Sequence, residues 1–139
     1  MRENSFTAMP KVLVADDSDL DLLLTERAIR RALPDWEVET AVDGDEALHK
    51  FVLGECPSLV LLDFRMPGKG AIEILEEIPK AVRARVPFIL FSSAVNPRDV
   101  EACVTRGLRT YVEKPTDPVA YSQTVTAICA EWAKALSWD

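Results

Sequence analysis

A run of four aliphatic residues, Leu59–Leu62, stops at the carboxylate of Asp63. An uninterrupted apolar run is typical of a parallel strand buried on both faces, because helices cover both sides of such a sheet and no polar alternation is needed. Open α/β sheets place their chemistry at the carboxyl ends of their strands. The run therefore predicts a central parallel strand with a functional carboxylate at its end.

The composition is that of one ordinary globular domain. The chain has 139 residues, of which 48% are hydrophobic and 28% are charged, and such a chain can bury a core. We predict a flexible N-terminal arm over residues 1–9 and one domain over residues 10–139. The net charge of −7 argues against direct nucleic acid binding, because phosphate backbones attract clustered lysine and arginine.

The sequence gives no indication of a membrane segment. The first nine residues lack the apolar core of a secretory signal, and no apolar run approaches the roughly 18 residues of a membrane span. Three widely separated cysteines, without CxxC or histidine spacing, indicate a reducing compartment and neither a disulfide nor a zinc framework. We therefore expect a cytoplasmic protein.

Five predicted strands alternate with five predicted helices. This alternation predicts a parallel sheet with helices on both faces. The second strand alternates polar and apolar residues, which suits an edge, whereas the first, third and fourth are continuously apolar. We expect a flavodoxin-like (βα)5 three-layer α/β sandwich with strand order 2-1-3-4-5. The predicted strands are Lys11–Ala15, Glu37–Val42, Leu59–Leu62, Phe88–Ser92 and Thr110–Glu113.

The predicted helices begin after capping residues or at proline and end near proline or glycine. The first runs from about Asp19 to Leu33, and its predicted core face includes Leu20, Leu24 and Ala28. Pro79 is expected to end the third helix. The remaining helices are predicted at 45–52, 71–78, 97–106 and from 118 onward.

Polar residues end four of these strands at one predicted edge of the sheet. Asp16 and Asp17 follow the first strand, Asp63 the third, Ser92 ends the fourth and Lys114 follows the fifth. Carboxylate oxygens suit Mg²⁺, which keeps water ligands and binds phosphate oxygens. A lysine and a hydroxyl can donate to phosphoryl oxygens, and a carboxylate can be the nucleophile in phosphoryl transfer. The set predicts a site for a phosphoryl group beside Mg²⁺.

Each of these residues has a structural alternative when it is taken alone. Asp16 and Asp17 could cap the first helix, Lys114 could be a solvated charge, and Ser92 could be a hydrogen-bonded core hydroxyl. Their occurrence together, at the ends of different strands on the same edge, favours the phosphoryl site.

With these residues in this order, the chain resembles the receiver domain of two-component response regulators over nearly all of 11–138. The interval of 22 positions from Ser92 to Lys114 is the one that the family shows. The matching segments are Val14–Asp17, Asp43–Leu48, Leu61–Pro67, Ser92 and Lys114–Pro115.

The resemblance implies that Asp63 accepts a phosphoryl group from a phosphohistidine on a sensor histidine kinase or a histidine phosphotransfer protein. It also implies that Asp17 and Asp63 bind Mg²⁺ directly, that Asp16 assists, and that the backbone carbonyl of Arg65 completes the protein ligands. Lys114 is expected to contact Asp63 and then the phosphoryl oxygens.

Two further features follow from the resemblance. The Lys114–Pro115 peptide bond is expected to be cis. Ser92 is expected to move toward the phosphoryl group on activation, while Tyr111 rotates inward as the switch aromatic, although Tyr111 could instead simply fill the core at the end of its strand.

The output face implied by the resemblance is formed by the helix that begins at Pro97, the strand Thr110–Glu113 and the helix that begins at Pro118. It would dock a downstream protein, an output domain that has been removed, or a second copy of the chain. Candidate contacts on this face are Arg98, Glu101 and Arg106.

Three positions bear on the lifetime of the phosphoryl group. Ser93 stands where the family usually has a small residue, often alanine, after the switch hydroxyl. Arg65 and Ala94 occupy places that commonly tune the attack of water on the acyl phosphate in this family.

Three functions are compatible with the site. The first is a binding module controlled by phosphorylation, and the second is a phosphorelay intermediate that passes its phosphoryl group to another histidine. The third is a Mg²⁺-dependent phosphohydrolase, which would need an acid/base carboxylate soon after Asp63, where Arg65 stands instead. We therefore expect a protein that is not an enzyme beyond promoting its own aspartyl phosphorylation and dephosphorylation.

Overall fold

Five parallel strands form the central sheet of the computed structural model, which describes residues 9–53 and 56–136. The strand order β2-β1-β3-β4-β5 confirms the predicted order. Of the predicted arm over residues 1–9, only Met9 lies within the described residues. The strands are β1 (Lys11–Ala15), β2 (Glu37–Ala41), β3 (Leu59–Leu62), β4 (Phe88–Ser92) and β5 (Thr110–Glu113).

The three central strands β1, β3 and β4 are buried along their whole lengths. Only Ala41 of the five residues of β2 is fully buried, as the alternating pattern of this edge strand predicted. Because helices cover both faces of the sheet, the central strands need no polar side chains.

The described part of the chain contains six helices rather than the predicted five. Proline was expected only to end a helix, but the Pro79 carbonyl accepts the first hydrogen bonds of an additional short helix, α4, from Val82 and Arg83. The Arg83 side chain then donates to the carbonyls of Ile78 and Arg106. The helices are α1 (Asp19–Ala32), α2 (Gly44–Leu53), α3 (Ala71–Glu77), α4 (Lys80–Arg85), α5 (Pro97–Val104) and α6 (Pro118–Ala135). The predicted output face is therefore α5, β5 and α6.

The predicted core face of α1 is confirmed at Ala28 but wrong at Leu20, so the helix is rotated about its axis relative to the prediction. Leu20 is 64% exposed, whereas Thr25 is fully buried. A threonine can occupy this core position because its hydroxyl lies 2.7 Å from the Tyr121 hydroxyl of α6 and forms a hydrogen bond with it. The buried residues of α1 are Leu22, Thr25, Ala28 and Ile29.

Two apolar clusters lie on opposite faces of the sheet. The cluster under α1 and α6 includes Phe91 and Tyr121, whose rings meet edge to face at 5.2 Å. The cluster under α2, α3 and α5 includes Phe51 stacked on Phe88 at 5.6 Å. Because all neighbouring strands are parallel, their carboxyl ends lie along one edge of the sheet between these clusters. None of the helices within 9–53 and 56–136 is long and apolar enough to cross a lipid bilayer.

Candidate functional site

The three predicted carboxylates lie together at the carboxyl ends of β1 and β3. These strands are paired so that Ala15 lies beside Leu62, and Asp16 and Asp63 follow directly. One carboxylate oxygen from each of Asp16, Asp17 and Asp63 lies within 4.8 Å of the others. Asp16 is buried, Asp63 is half-buried and Asp17 is exposed, so the cluster extends from the core to solvent.

Backbone hydrogen bonds hold two of these carboxylates in place. The Asp16 amide donates to the Ala41 carbonyl and the Asp63 amide donates to the Ala15 carbonyl, each at 2.9 Å. An Asp16 carboxylate oxygen accepts the Ser18 amide at 3.0 Å. Ser18, not Asp16 or Asp17, is the N-cap of α1, since its hydroxyl accepts the Asp21 amide at 3.2 Å.

Lys114 is buried in the site, but its main partners differ from the predicted one. Its Nζ atom lies 2.5 Å from Asp16 Oδ2 and 2.8 Å from Asp21 Oδ2. The distance to Asp63 Oδ1 is 3.8 Å, which is too long for a hydrogen bond. The predicted pairing of Lys114 with Asp63 is therefore present as an ion pair without a hydrogen bond.

Sequence reasoning missed Asp21 as a member of this site. The available signal was the spacing of Asp21 and Thr25, which lie four residues apart and hence on the same face of α1. The predicted core face, which included Leu20, Leu24 and Ala28, left Asp21 unassigned.

Burial and ion pairing act in opposite directions on these groups. Burial raises the pKa of Asp16 from 3.8 to about 6, although the hydrogen bond with Lys114 partly offsets this effect. Burial opposes the charge on Lys114, but the hydrogen bonds with Asp16 and Asp21 raise its pKa above the ordinary value. The ammonium is thus charged throughout the neutral range and offsets part of the surrounding negative charge.

The Ser92 hydroxyl contacts the central carboxylate directly. Ser92 Oγ donates to Asp63 Oδ1 at 2.5 Å. The Phe64 amide donates both to the same carboxylate oxygen at 3.0 Å and to Ser92 Oγ at 3.3 Å. This arrangement fixes one oxygen of Asp63 and the hydroxyl of Ser92 within a single network.

A cleft of about 290 Å³ opens beside Asp63. Arg65, Ser93 and Ala94, the positions predicted to affect phosphoryl lifetime, all border it and are exposed. The Arg65 guanidinium carbon lies 5.9 Å from the centre of the Phe64 ring, a cation–π contact. Solvent and small ligands can therefore approach Asp63 from this side.

Tyr111 contacts both the core and the loop that follows Ser92. Its half-buried ring packs against the apolar cluster under α2, α3 and α5. Its hydroxyl donates to the Ser93 carbonyl at 3.0 Å and accepts the Val95 amide at 3.2 Å, and burial raises the pKa of this phenol. The ring thus fills the core while the hydroxyl holds the loop that follows Ser92.

The predicted cis bond between Lys114 and Pro115 is wrong. The described ranges 9–53 and 56–136 contain no cis peptide bond. Peptide bonds before proline favour the trans form by about 0.5–1 kcal/mol. With the trans bond, Lys114 already reaches Asp16 and Asp21, so no cis bond is needed to direct its side chain inward.

The donor set fits a hard divalent cation. Three converging carboxylates, one of them exposed, offer the oxygen ligands that Mg²⁺ prefers while leaving room for water. The Lys114 ammonium pairs with Asp16, Asp21 and Asp63, and Asp17 adds a fourth carboxylate to the cluster, so a bound cation would relieve uncompensated negative charge.

Fold and site together define an α/β domain with a carboxylate cluster at the carboxyl edge of its parallel sheet. The family model of the response regulator receiver domain matches residues 12–126. The chain therefore belongs to this family, and it is the receiver domain of a two-component response regulator.

Individual relatives agree with this assignment. The two-component response regulator ORR6 of Oryza sativa subsp. japonica is 26% identical over 120 residues, which cover 84% of this chain and 69% of that protein. The phosphorylated cyanobacterial phytochrome response regulator RcpA superposes with a TM-score of 0.83 at 26% identity, covering 92% of this chain and 96% of that one. The Mn²⁺-bound form of response regulator Rcp1 shares the fold, with a TM-score of 0.81 at 24% identity over 94% of this chain and 99% of that one.

Proposed function

We propose that Asp63 is the phosphoacceptor of this receiver domain. Its carboxylate borders the open cleft and lies beside two donors, the Ser92 hydroxyl and the Lys114 ammonium. This placement of an accessible carboxylate between a hydroxyl and an ammonium is the observation that carries the proposal. The structural likeness to RcpA in its phosphorylated form supports it.

The proposed reaction is the transfer of a phosphoryl group from a phosphohistidine on a sensor histidine kinase or a histidine phosphotransfer protein. An Asp63 oxygen attacks phosphorus, the nitrogen–phosphorus bond breaks, and the imidazole leaves with the bonding electron pair and takes up a proton. Positioning and neutralisation of charge supply most of the catalysis in such transfers. In this chain, Ser92 and Lys114 would donate to the phosphoryl oxygens.

Asp17 and Asp63, assisted by Asp16 and the Arg65 carbonyl, would hold the Mg²⁺ ion. When bound, the ion would neutralise charge on the phosphoryl oxygens. The three converging carboxylates support this assignment.

Response regulators work with sensor kinases and output domains, and we propose that the face formed by α5, β5 and α6 transmits the signal here. Ser92 contacts Asp63, while Tyr111 holds the carbonyl of Ser93, the next residue. A phosphoryl group that draws Ser92 toward it would therefore displace the loop that Tyr111 holds and shift the population of two packings. The partner would be a downstream protein, a separate output domain or a second copy of the chain.

The side chains that border the cleft bear on the alternatives. Arg65, rather than an acid/base carboxylate, lies beside Asp63, which disfavours a phosphohydrolase acting on a small substrate. The phosphorelay alternative uses the same site and differs from a binding switch in phosphoryl lifetime. The cytoplasmic location indicated by the cysteine pattern stays a prediction.

Intact mass after incubation with acetyl phosphate tests the proposal. We expect one added phosphoryl group that requires Mg²⁺ and is absent from Asp63→Asn. Asp35→Asn, which removes an exposed carboxylate away from the site, should behave as the unaltered protein. An adduct on Asp63→Asn, or no adduct on the unaltered protein when Mg²⁺ is shown to bind, would overturn the proposal. Rapid decay of the adduct would favour the relay, and slow decay the binding switch.

A further inference from the structure

The Lys114 ammonium is shared between two carboxylates that both lie closer to it than Asp63 does. Lys114 Nζ lies 2.5 Å from Asp16 and 2.8 Å from Asp21, against 3.8 Å from Asp63. An ammonium has three protons to donate, and two of them are used in the hydrogen bonds with Asp16 and Asp21. The third proton is free within the described part of the chain, but Asp63 lies beyond hydrogen-bond distance, so Lys114 has to move toward Asp63 to donate to it, and the contact with Asp21 opposes that movement.

The structure around Asp21 fixes the position of its carboxylate. Asp21 lies in the first turn of α1, where its amide donates to the capping Ser18 hydroxyl. Its carbonyl accepts the Tyr121 hydroxyl at 3.3 Å, and that hydroxyl also bonds with Thr25, one turn further along α1. Helices α1 and α6 thus fix the backbone of Asp21. Its carboxylate extends from this fixed backbone to Lys114.

The contact between Lys114 and Asp21 opposes the use of Lys114 in phosphoryl transfer. The hydrogen bonds with Asp16 and Asp21 hold Lys114 Nζ 3.8 Å from Asp63 Oδ1, so they oppose any movement of the ammonium toward Asp63 or toward a phosphoryl group on it. Hydrogen bonds between charged groups are among the stronger ones in proteins. The side chain of Asp21 is 28% exposed, so solvent screens this contact only in part.

We propose that Asp21 is a positioning residue that holds Lys114 beside Asp16 in the unphosphorylated protein and so restrains phosphoryl uptake by Asp63. This inference rests on the proposed function of Asp63. It assigns to Asp21 a role in regulating reactivity: the carboxylate competes with the incoming phosphoryl group for one ammonium.

Asp21→Asn tests the inference, because the amide keeps the shape of the side chain and removes its charge. With Mg²⁺ and acetyl phosphate, we expect phosphoryl uptake to be faster by about five- to tenfold, since a competing hydrogen bond between charged groups is weakened. Asp19→Asn is the matched control: it removes the same charge from the same helical turn, but Asp19 is exposed. Its rate should stay within about twofold, because an exposed charge is screened.

A second measurement follows Lys114 itself and does not depend on phosphorylation. The nitrogen and proton resonances of the Lys114 ammonium should shift in Asp21→Asn and stay unchanged in Asp19→Asn. Asp21→Glu, which restores a carboxylate, should return the uptake rate toward that of the unaltered protein. A residue that merely supported the fold would not give this charge-specific rescue.

The outcomes separate the inference from the proposed function. An uptake rate in Asp21→Asn equal to that of Asp19→Asn, or below that of the unaltered protein, would overturn the restraint. Unaltered protein that binds Mg²⁺ but takes up no phosphoryl group would instead overturn the role of Asp63. In that case an unmoved Lys114 resonance in Asp21→Asn would also overturn the positioning contact, and a shifted resonance would support it.

Discussion

The two sides of the site differ in their access to water. On the buried side, Asp16 is 3% exposed and Lys114 8% exposed, and each contacts a group of opposite charge. The open side borders a cleft of about 290 Å³ and consists of Asp63, Arg65, Ser93 and Ala94. The buried side consists of Asp16 and Lys114, and Asp21, whose side chain is 28% exposed, lies at its edge. The charges of Asp16 and Lys114 thus belong to the folded core, whereas the half-buried carboxylate of Asp63, which is the proposed phosphoacceptor, borders a cleft that is open to solvent. Stability and reactivity should therefore respond to different substitutions.

Lys114→Met on the buried side should have the largest effect on stability. Removing one partner of a buried ion pair leaves the other charge uncompensated, and we expect the free energy of unfolding to fall by about 3 kcal/mol at pH 8. Urea unfolding in metal-free buffer would measure the change. Lys80→Met, at an exposed position of α4, is the control and should change little.

The same variant should lose less stability at pH 5 than at pH 8. Burial raises the pKa of Asp16 to about 6, above its ordinary 3.8. The proton that Asp16 binds therefore stabilises the folded protein. This stabilisation is fully present below pH 3.8, the ordinary pKa of the group, and is lost as the pH rises through about 6. At pH 5 the carboxyl of Asp16 is mostly neutral and depends less on the ammonium. An equal loss at both pH values would contradict the description of the buried side.

Asp17→Asn probes the exposed end of the carboxylate cluster. Because this carboxylate is exposed and crowded by two others, its replacement should change the unfolding free energy in metal-free buffer by less than about 0.5 kcal/mol. Mg²⁺ affinity should fall about ten- to a hundredfold, since one charged oxygen ligand is lost. Calorimetric titration with Mg²⁺ measures the affinity, and an unchanged value would remove Asp17 from the metal site.

Tyr121→Phe tests the hydrogen bonds by which α6 positions α1 beside the buried side. The Tyr121 hydroxyl bonds with the buried Thr25 at 2.7 Å, so its loss should lower the unfolding free energy by about 1 kcal/mol at pH 7. Burial raises the pKa of Tyr121 from 10 to about 12. The stability linked to its proton is therefore lost as the pH rises from 10 through 12. The difference between the two proteins in urea unfolding should narrow over that range, and a difference that widens would contradict the assignment.

Arg65→Ala on the open side should have the smallest effect on stability. Arg65 is exposed and its guanidinium lies over the ring of Phe64, so the unfolding free energy should change by less than about 0.5 kcal/mol. If Arg65 shields the acyl phosphate, its removal should speed the decay of the adduct, which intact mass can follow. Arg85→Ala, also exposed but on α4, should leave the decay unchanged. A large loss of stability in Arg65→Ala would contradict the conclusion that the open side contributes little to the free energy of unfolding.

The sequence predicted those features that depend on strands and their ends. The continuous apolar run of Leu59–Leu62 identified a central strand, and parallel pairing then placed Asp16 and Asp63 side by side. The predicted strand order was also correct, because it rested on which strands are continuously apolar and which strand alternates polar and apolar residues. The contact of Lys114 with Asp21 depends instead on the rotation of α1, which is a property of packing.

The rotation of α1 could not be read from its own residues. Apolar residues fill 22, 23 and 24 as well as 20, so several core faces were equally apolar. The choice is decided by a buried hydrogen bond between Thr25 and Tyr121, which are 96 positions apart. The extra helix α4 was missed because Pro79 was interpreted only as a stop, although its carbonyl also begins the next helix.

The contacts between α4 and the end of α5 have a mechanical consequence. Arg83 donates to the Arg106 carbonyl, and Arg106 pairs with Glu76 of α3 at 2.7 Å. These contacts fix one end of α5, while its other end, at Asn96, adjoins the loop held by Tyr111. Helix α5, which has eight residues and is about 12 Å long, would then rotate as a rigid body about its end near Arg106. A tilt of about 10° would move its free end by about 2 Å, so a small displacement beside Ser92 would reach the partner as a rotation.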